Sequence, residues 1–118
     1  MTFDDIIRSL SCKTFVRGAA FDTAKIKSLV ASDLMSDVLT TTEENFIIST
    51  SLNSEQVVRT ADIVGALGIL LVNGKQPQDA MRQLAADHGI TLLSTTRDTY
   101  RVCVTVGCAL EREKSAAP

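Results

Sequence analysis

The residues best suited to chemistry in this 118-residue chain are short polar groups that recur at regular intervals. Each group directly follows a run of aliphatic or β-branched residues of the kind that forms a strand. In an open parallel sheet, ligands bind beyond the carboxyl ends of the strands, where hydroxyls and free helix amides can hold a carboxylate or a phosphate. The candidate binding residues are Ser32, Asp33, Thr50, Ser51, Asn53, Asn73, Gly74, Thr95 and Thr96.

The same residue types are also the preferred caps of helices. Each group stands just before a predicted helix, so capping alone remains the simpler alternative to a ligand site. Asn53, followed three residues later by Gln56, predicts a capping box at the start of the middle helix.

Patterns typical of catalytic and metal sites are missing from the sequence. Neither a GxxxxGK[ST] nor a GxGxxG phosphate-binding loop occurs. The single histidine, His88, falls in the last turn of an amphipathic helix, where it is favoured as a helix-terminus residue rather than a ligand. Cys12, Cys103 and Cys108 contain no CxxC pair and are predicted to be reduced, small core residues. We therefore expect no catalytic residue, no metal and no cofactor.

Composition narrows the class of protein further. The formal net charge is −2 and basic residues are scattered, which argues against nucleic-acid binding. The longest apolar stretch, Val64–Val72, is interrupted by two glycines and is too short to span a membrane. The acidic start lacks the features of a signal peptide, so we expect a cytoplasmic protein. Aromatic residues make up only 4%, which predicts an aliphatic core.

Apolar periodicity places the polar groups on an alternating series of helices and strands. The predicted strands are Lys13–Arg17, Ile26–Ala31, Phe46–Thr50, Ile69–Val72 and Ile90–Leu93. The predicted helices start at Thr2, at Ser32-Asp33, at Ser54 and at Pro77, and Gly68 and Gly89 are the expected stops of the last two.

The segment Asp98–Glu111 fits a strand and a helix equally well. We favour a helix, because it continues the alternation and because Thr95 and Thr96 can cap it. Strands linked by helical crossovers predict an α/β fold, a three-layer α/β/α domain with a mainly parallel sheet of four to five strands. Residues 1–112 are predicted to form this single domain, and residues 113–118 a frayed tail.

Four segments of the chain resemble small proteins of the DRTGG-domain family. Ser32–Leu39, which is SDLMSDVL, matches a fairly specific stretch of those proteins, and Thr50–Asp62 is similar to their GLTNPQVIRTAE stretch. Ile69–Pro77 and Ile90–Tyr100 resemble the strand–turn and strand–helix units that follow. The Asp-Arg pair that names the family is absent, since Ser51-Leu52 stands near its place.

The resemblance implies a fold shared with the N-terminal domain of HPr kinase/phosphatase, and with domains of long phosphotransacetylases and CBS-containing pyrophosphatases. Such domains accompany a catalytic or nucleotide-sensing partner and tend to regulate or to dimerise. Stand-alone forms are often associated with iron-only hydrogenase gene clusters. The phosphate loop of the kinase belongs to a different domain.

We therefore expect a non-catalytic regulatory or ligand-binding module that forms a homodimer and binds a small anionic ligand or nucleotide, or a protein partner. One alternative is a structural assembly subunit of an enzyme system, such as a hydrogenase-associated one, in which Val102–Leu110 packs against a second copy. The other is an enzyme, which would need a cleft that joins Asp33, Arg59 or Arg97 with hydroxyl residues.

Overall fold

The continuous aliphatic runs of the chain form a single five-stranded sheet. The computed structural model describes residues 1–116. The strands are β1 (Lys13–Val16), β2 (Ser28–Ala31), β3 (Phe46–Thr50), β4 (Gly68–Leu71) and β5 (Thr91–Ser94). They lie in the order β1-β5-β4-β3-β2; β2 to β5 are parallel, and β1 is antiparallel to β5. The predicted mainly parallel sheet is confirmed.

Five helices cover the two faces of the sheet. They are α1 (Phe3–Leu10), α2 (Met35–Val38), α3 (Glu55–Val64), α4 (Asp79–His88) and α5 (Thr99–Ala116). Buried residues of α1 and α5 pack on one face, and those of α2, α3 and α4 pack on the other. The three-layer α/β/α prediction is therefore confirmed, and the ambiguous segment Asp98–Glu111 lies in α5 as favoured.

The central strands are apolar throughout because helices bury both of their faces. Every residue of β3, β4 and β5 is buried. On β4, Leu70 packs on the α1–α5 side, whereas Ile69 and Leu71 pack on the α3–α4 side. Burying each such aliphatic side chain stabilises the fold by roughly 1.5–3 kcal/mol.

Of the five predicted strands only β3 keeps its predicted bounds; the other four begin or end one or two residues away, and α2 and α4 begin later than predicted. Further differences concern α3, Gly68 and α5. Helix α3 ends at Val64, because Gly65 takes the left-handed conformation at φ 73° and ends it. Gly68, the predicted stop, instead begins β4. Helix α5 continues to Ala116, where a frayed tail was predicted over residues 113–118, and Glu113 pairs with the amino group of Met1 at 2.8 Å. Residues 117 and 118 lie outside the described residues.

Gly18 follows β1 at a point where two backbone segments nearly touch. Its N–H donates to the hydroxyl of Thr91 at 3.0 Å, and the next N–H, of Ala19, donates to the carbonyl of Gly89 at 3.0 Å. A Cβ on Gly18 would overlap the Gly89 carbonyl oxygen and lie 2.6 Å from the Thr91 nitrogen. At Gly107, within α5, a Cβ would meet nothing within 4 Å.

We predict opposite effects for alanine at these two glycines. Gly18→Ala forces the backbone apart and should lower the free energy of unfolding by about 1–3 kcal/mol. Gly107→Ala should raise it by up to about 1 kcal/mol, because alanine is the better helix former. Urea denaturation measures both changes. Equal stability of the two variants would show that the close approach at Gly18 is wrong.

Candidate functional site

The polar groups predicted from the sequence meet at one edge of the sheet. Strands β2 to β5 are adjacent and parallel, so their carboxyl ends lie side by side. Backbone bonds continue past the strands: the Ser32 N–H donates to Ser49, and the Val72 N–H donates to Thr50, each at 3.0 Å. We call the nine predicted residues, together with Lys75 and Arg97 of the same loops, the carboxyl rim.

The Asp33 carboxylate, at the β2 end of the carboxyl rim, is bonded to Thr50 and Ser51 at the end of β3. Its carboxylate accepts hydrogen bonds from the Thr50 hydroxyl at 2.9 Å, the Ser51 N–H at 2.8 Å and the Ser51 hydroxyl at 2.8 Å. The backbone bond from Ser51 and the two hydroxyl bonds hold the pKa of Asp33 below its usual value, against the opposing effect of burial. These donors are therefore occupied, and the nearby negative charge disfavours a phosphate at this end.

Ser32 and Thr95 also have structural roles. The Ser32 hydroxyl accepts the Leu34 N–H at 3.0 Å and so forms a local turn before α2. The Thr95 hydroxyl is buried and donates to the Leu10 carbonyl at 2.8 Å, which ties α1 to the end of β5. Thr96, by contrast, is exposed.

Asn53 does not cap α3 as predicted. The cap residue is Ser54, and no side chain caps the helix. The Asn53 amide instead donates to the Gln76 carbonyl at 2.7 Å, and the Gln78 N–H donates to the Asn53 carbonyl at 3.1 Å. Helix α4 also begins without a side-chain cap bond. The two helices thus start side by side at the carboxyl rim, with first-turn amides that no side chain caps.

The part of the rim between β4 and α4 is a tight turn formed by Asn73 and Gly74. Asn73 and Gly74 are both left-handed, at φ 60° and 69°, a conformation that these two residue types tolerate. The Asn73 N–H donates to the Arg97 carbonyl at 2.8 Å. Lys75 and Arg97 are exposed, and neither forms an ion pair with residues 1–116. Lys75 was not among the residues predicted from the sequence, and Arg97 was named only for the enzyme alternative; the available signal was that both stand next to turn residues of the rim.

One buried hydroxyl near the rim has no partner. The Oγ atom of Ser49, on β3, makes no hydrogen bond within the described residues. Leaving such a group unpaired costs about 1–3 kcal/mol.

His88 and the cysteines are not among the carboxyl rim residues. His88 ends α4, as predicted, with its Nδ1 atom 3.6 Å from an Asp62 oxygen. Burial raises the pKa of Cys12 to about 11 and also raises that of Cys103, so both thiols are less reactive than usual. Cys108 is exposed, which corrects its prediction as a core residue.

The described residues hold no cluster of three or more side chains suited to a metal ion. None of their helices is long and apolar enough to cross a bilayer.

Comparison with known proteins identifies a shared fold. No model of a known protein family matches the chain, and no curated protein matches its sequence. One similar solved structure contains the CBS and DRTGG domains of the regulatory region of a Clostridium perfringens pyrophosphatase, complexed with the activator diadenosine tetraphosphate. It matches with a TM-score of 0.70 at 15% identity, over 89% of this chain and 45% of that one. The chain therefore has the fold of part of that region and spans less than half of its length.

We predict that Asp33→Asn destabilises the protein in a pH-dependent way. Because the pKa of Asp33 is lower in the folded protein, its stabilisation is complete above the ordinary value of 3.8 and is lost as the pH falls through the lower folded value. At pH 7 the variant should lose about 1 kcal/mol, since hydrogen bonds to an exposed carboxylate are partly screened.

The measurement is urea unfolding from pH 7 to pH 2.5, with Glu44→Gln in an exposed loop as the control. The difference between Asp33→Asn and the original protein should shrink at the acid end. A difference that stays constant with pH would contradict the role given to the carboxylate.

Proposed function

We propose that this chain is a non-catalytic regulatory module that binds a small anionic ligand, with nucleotides as the leading class, at the α3–α4 end of the carboxyl rim. The observation that carries this proposal is the pair of adjacent helix N-termini without side-chain caps. Free first-turn amides and the helix dipole together attract an anion. Each helix is ten residues long, so both dipoles are developed.

Charge supports this end of the rim over the other. Lys75 and Arg97 belong to its loops, whereas Asp33 places a carboxylate at the β2 end. Two acidic residues lie in the first turns of α3 and α4, but Glu55 pairs with Arg59 at 3.1 Å and Asp79 lines a cavity beside β1. Of the predicted residues, the side chains of Asn73 and Thr96 make no hydrogen bond within residues 1–116, whereas the N–H groups of Asn73 and Gly74 already donate to the carbonyls of Arg97 and Thr95.

The fold likeness supports the choice of ligand class. The similar pyrophosphatase region is regulatory, and its activator is a nucleotide with a chain of phosphates. A polyphosphate matches the combination of helix amides and cations at the α3–α4 end. Ligand binding without a reaction also agrees with the bonding of two charged residues named for an enzyme: Asp33 is bonded to Thr50 and Ser51 after β3, and Arg59 pairs with Glu55 on α3.

Three further points complete this proposal. We include membership of the DRTGG family, and through it kinship with the N-terminal domain of HPr kinase/phosphatase, on the strength of the SDLMSDVL segment. We also include a single domain over residues 1–112, because both faces of one sheet account for its buried clusters. We also propose a cytoplasmic location, in which the three cysteines would stay reduced.

Ligand binding predicts a rise in thermal stability. Diadenosine tetraphosphate or ATP at a hundredfold excess over its Kd should raise the free energy of unfolding by about 2.7 kcal/mol. Lys75→Glu should reduce this effect, because it replaces a cation at the α3–α4 end with an anion. Lys25→Glu, an exposed lysine in the loop before β2, is the matched control.

Differential scanning fluorimetry with a panel of nucleotides, small carboxylates and inorganic phosphate makes the measurement. No stabilisation by any member would remove the small-ligand proposal. If Lys75→Glu and Lys25→Glu lose the same amount of ligand-induced stabilisation, the proposed position of the ligand is wrong but ligand binding itself is not.

An assembly role is the second candidate, because α5 exposes an apolar stripe. Val102, Val106 and Leu110 are buried in the chain's own core, so these residues do not form the contact with a second copy that was predicted for Val102–Leu110. A dimer through α5 would use the exposed side of the helix. Tyr100 and Val104 are 71% and 44% exposed and lie one helical turn apart. We propose this stripe as the surface of the homodimer.

The dimer predicts a specific effect of charge on α5. Val104→Asp should convert the dimer to a monomer, since it buries a carboxylate in the interface. Ile63→Asp on α3, where Ile63 is 73% exposed, is the control and should leave the dimer intact. Sedimentation velocity over a wide concentration range tests this. An original protein that stays monomeric throughout would exclude the assembly role.

A further inference from the structure

A second recognition surface lies between the first strand of the sheet and the side of α4 that faces it. It is a groove between the edge strand β1 and helix α4, with a volume of about 390 Å³. We call it the β1–α4 groove, and its lining residues are Phe15, Val16, Asp79, Arg82, Gln83 and Ala86.

A β-bulge builds the apolar floor of this groove. Thr14 pairs with Leu93 and Val16 pairs with Leu92, so Phe15 is an extra residue without a partner on β5. Consecutive residues of a regular strand face opposite sides of the sheet, but a bulge redirects a side chain. Phe15 and Val16 consequently both pack on the α4 side, where both stay half-buried.

Two cations flank the floor. The Lys13 ammonium lies 4.9 Å from the centroid of the Phe15 ring, and the Arg82 guanidinium lies 5.6 Å from it. Neither forms an ion pair within residues 1–116, and both side chains belong to exposed residues. The lining residues hold one cation, Arg82, and one carboxylate, Asp79, and Lys13 adds a second cation beside the Phe15 ring.

The backbone beside the groove has free hydrogen-bonding groups. Strand β1 is at the end of the sheet and pairs with β5 alone among the described residues. The outer N–H and C=O groups of such an edge can accept another strand, and a groove between an edge strand and a helix then holds the side chains of that strand. The bulge limits the pairing to a few residues.

We propose that the β1–α4 groove binds an extended acidic segment of a protein partner. The segment adds as a short strand beside β1, places one apolar side chain on Phe15 and Val16, and directs its carboxylates towards Lys13 and Arg82. A second copy of this chain fits less well, because pairing two β1 edges would gather the unpaired cations of both copies at one interface. The groove adjoins the proposed ligand site at Asp79, in the first turn of α4, but the peptide proposal does not depend on the ligand proposal.

The test uses fluorescein-labelled peptides and fluorescence polarisation with the full chain. The probe is the eight-residue peptide Glu-Thr-Val-Thr-Glu-Thr-Val-Thr, which as a strand presents Glu and Val on one face. The two comparison peptides are the equivalent with Lys in place of Glu and the acidic peptide with every second amide N-methylated. The acidic peptide should bind, and the other two should bind at least about tenfold more weakly, through lost charge complementarity and lost strand pairing respectively.

Charge-reversed variants locate the site. Arg82→Glu and Lys13→Glu should each weaken binding of the acidic peptide by about fivefold or more, while Lys25→Glu should leave it unchanged. Circular dichroism confirms that each variant is folded. Hydrogen exchange should show that the peptide protects the amides of Lys13–Val16.

Four results would overturn the proposal. The acidic peptide could fail to bind at millimolar concentration, or it could bind Arg82→Glu as well as the original protein. The N-methylated peptide could bind as tightly as its parent, which would show attraction between charges without strand addition. Self-association that becomes stronger in Arg82→Glu would assign the edge to a second copy of the chain and would equally refute the peptide.

Discussion

The parallel pairing of β2, β3, β4 and β5 is the constraint on which the rest of the structure depends. Parallel strands need a helical crossover between them, so α2, α3 and α4 follow as the links on one face. The same pairing sends every carboxyl end to one edge, and therefore brings four loops that are distant in sequence into hydrogen-bonding contact. A pair of strands turned the other way would have scattered those loops over two edges.

Contacts within the carboxyl rim divide it into a closed end and an open end. At the β2 end, Asp33 saturates the donors of Thr50 and Ser51, and the interaction stabilises the loops themselves. At the other end, Asn53 bonds across to Gln76 and leaves α3 without a side-chain cap. The same residue types thus have opposite consequences. Thr50 and Ser51 use their hydrogen bonds to hold the loops of the fold together, whereas Asn53 leaves the first-turn amides of α3 free to attract an anion.

The sequence predicted the sheet better than it predicted the site, for physical reasons. Runs such as Phe46–Thr50 are apolar without alternation, and that pattern directly reflects burial on both faces. The partner of Asn53, however, lies 23 residues away in another loop, and local capping rules cannot anticipate a competitor that only the fold brings near. The bulge at Phe15 is similar, since it exists only through the register of β1 against β5. The bond of Asn53 and the bulge at Phe15 each depend on two segments that only the fold brings together, whereas apolar periodicity can be read within one segment.

The central claim is that the α3–α4 end of the carboxyl rim holds the phosphates of a nucleotide. The most direct measurement is a titration of the ¹⁵N-labelled protein with diadenosine tetraphosphate, followed by amide chemical shifts. The account predicts that the largest saturable shifts fall on the first-turn amides of α3 and α4 and on the turn of Asn73 and Gly74. Shifts centred on Asp33 or on the β1–α4 groove, or no saturable shift at all, would contradict it.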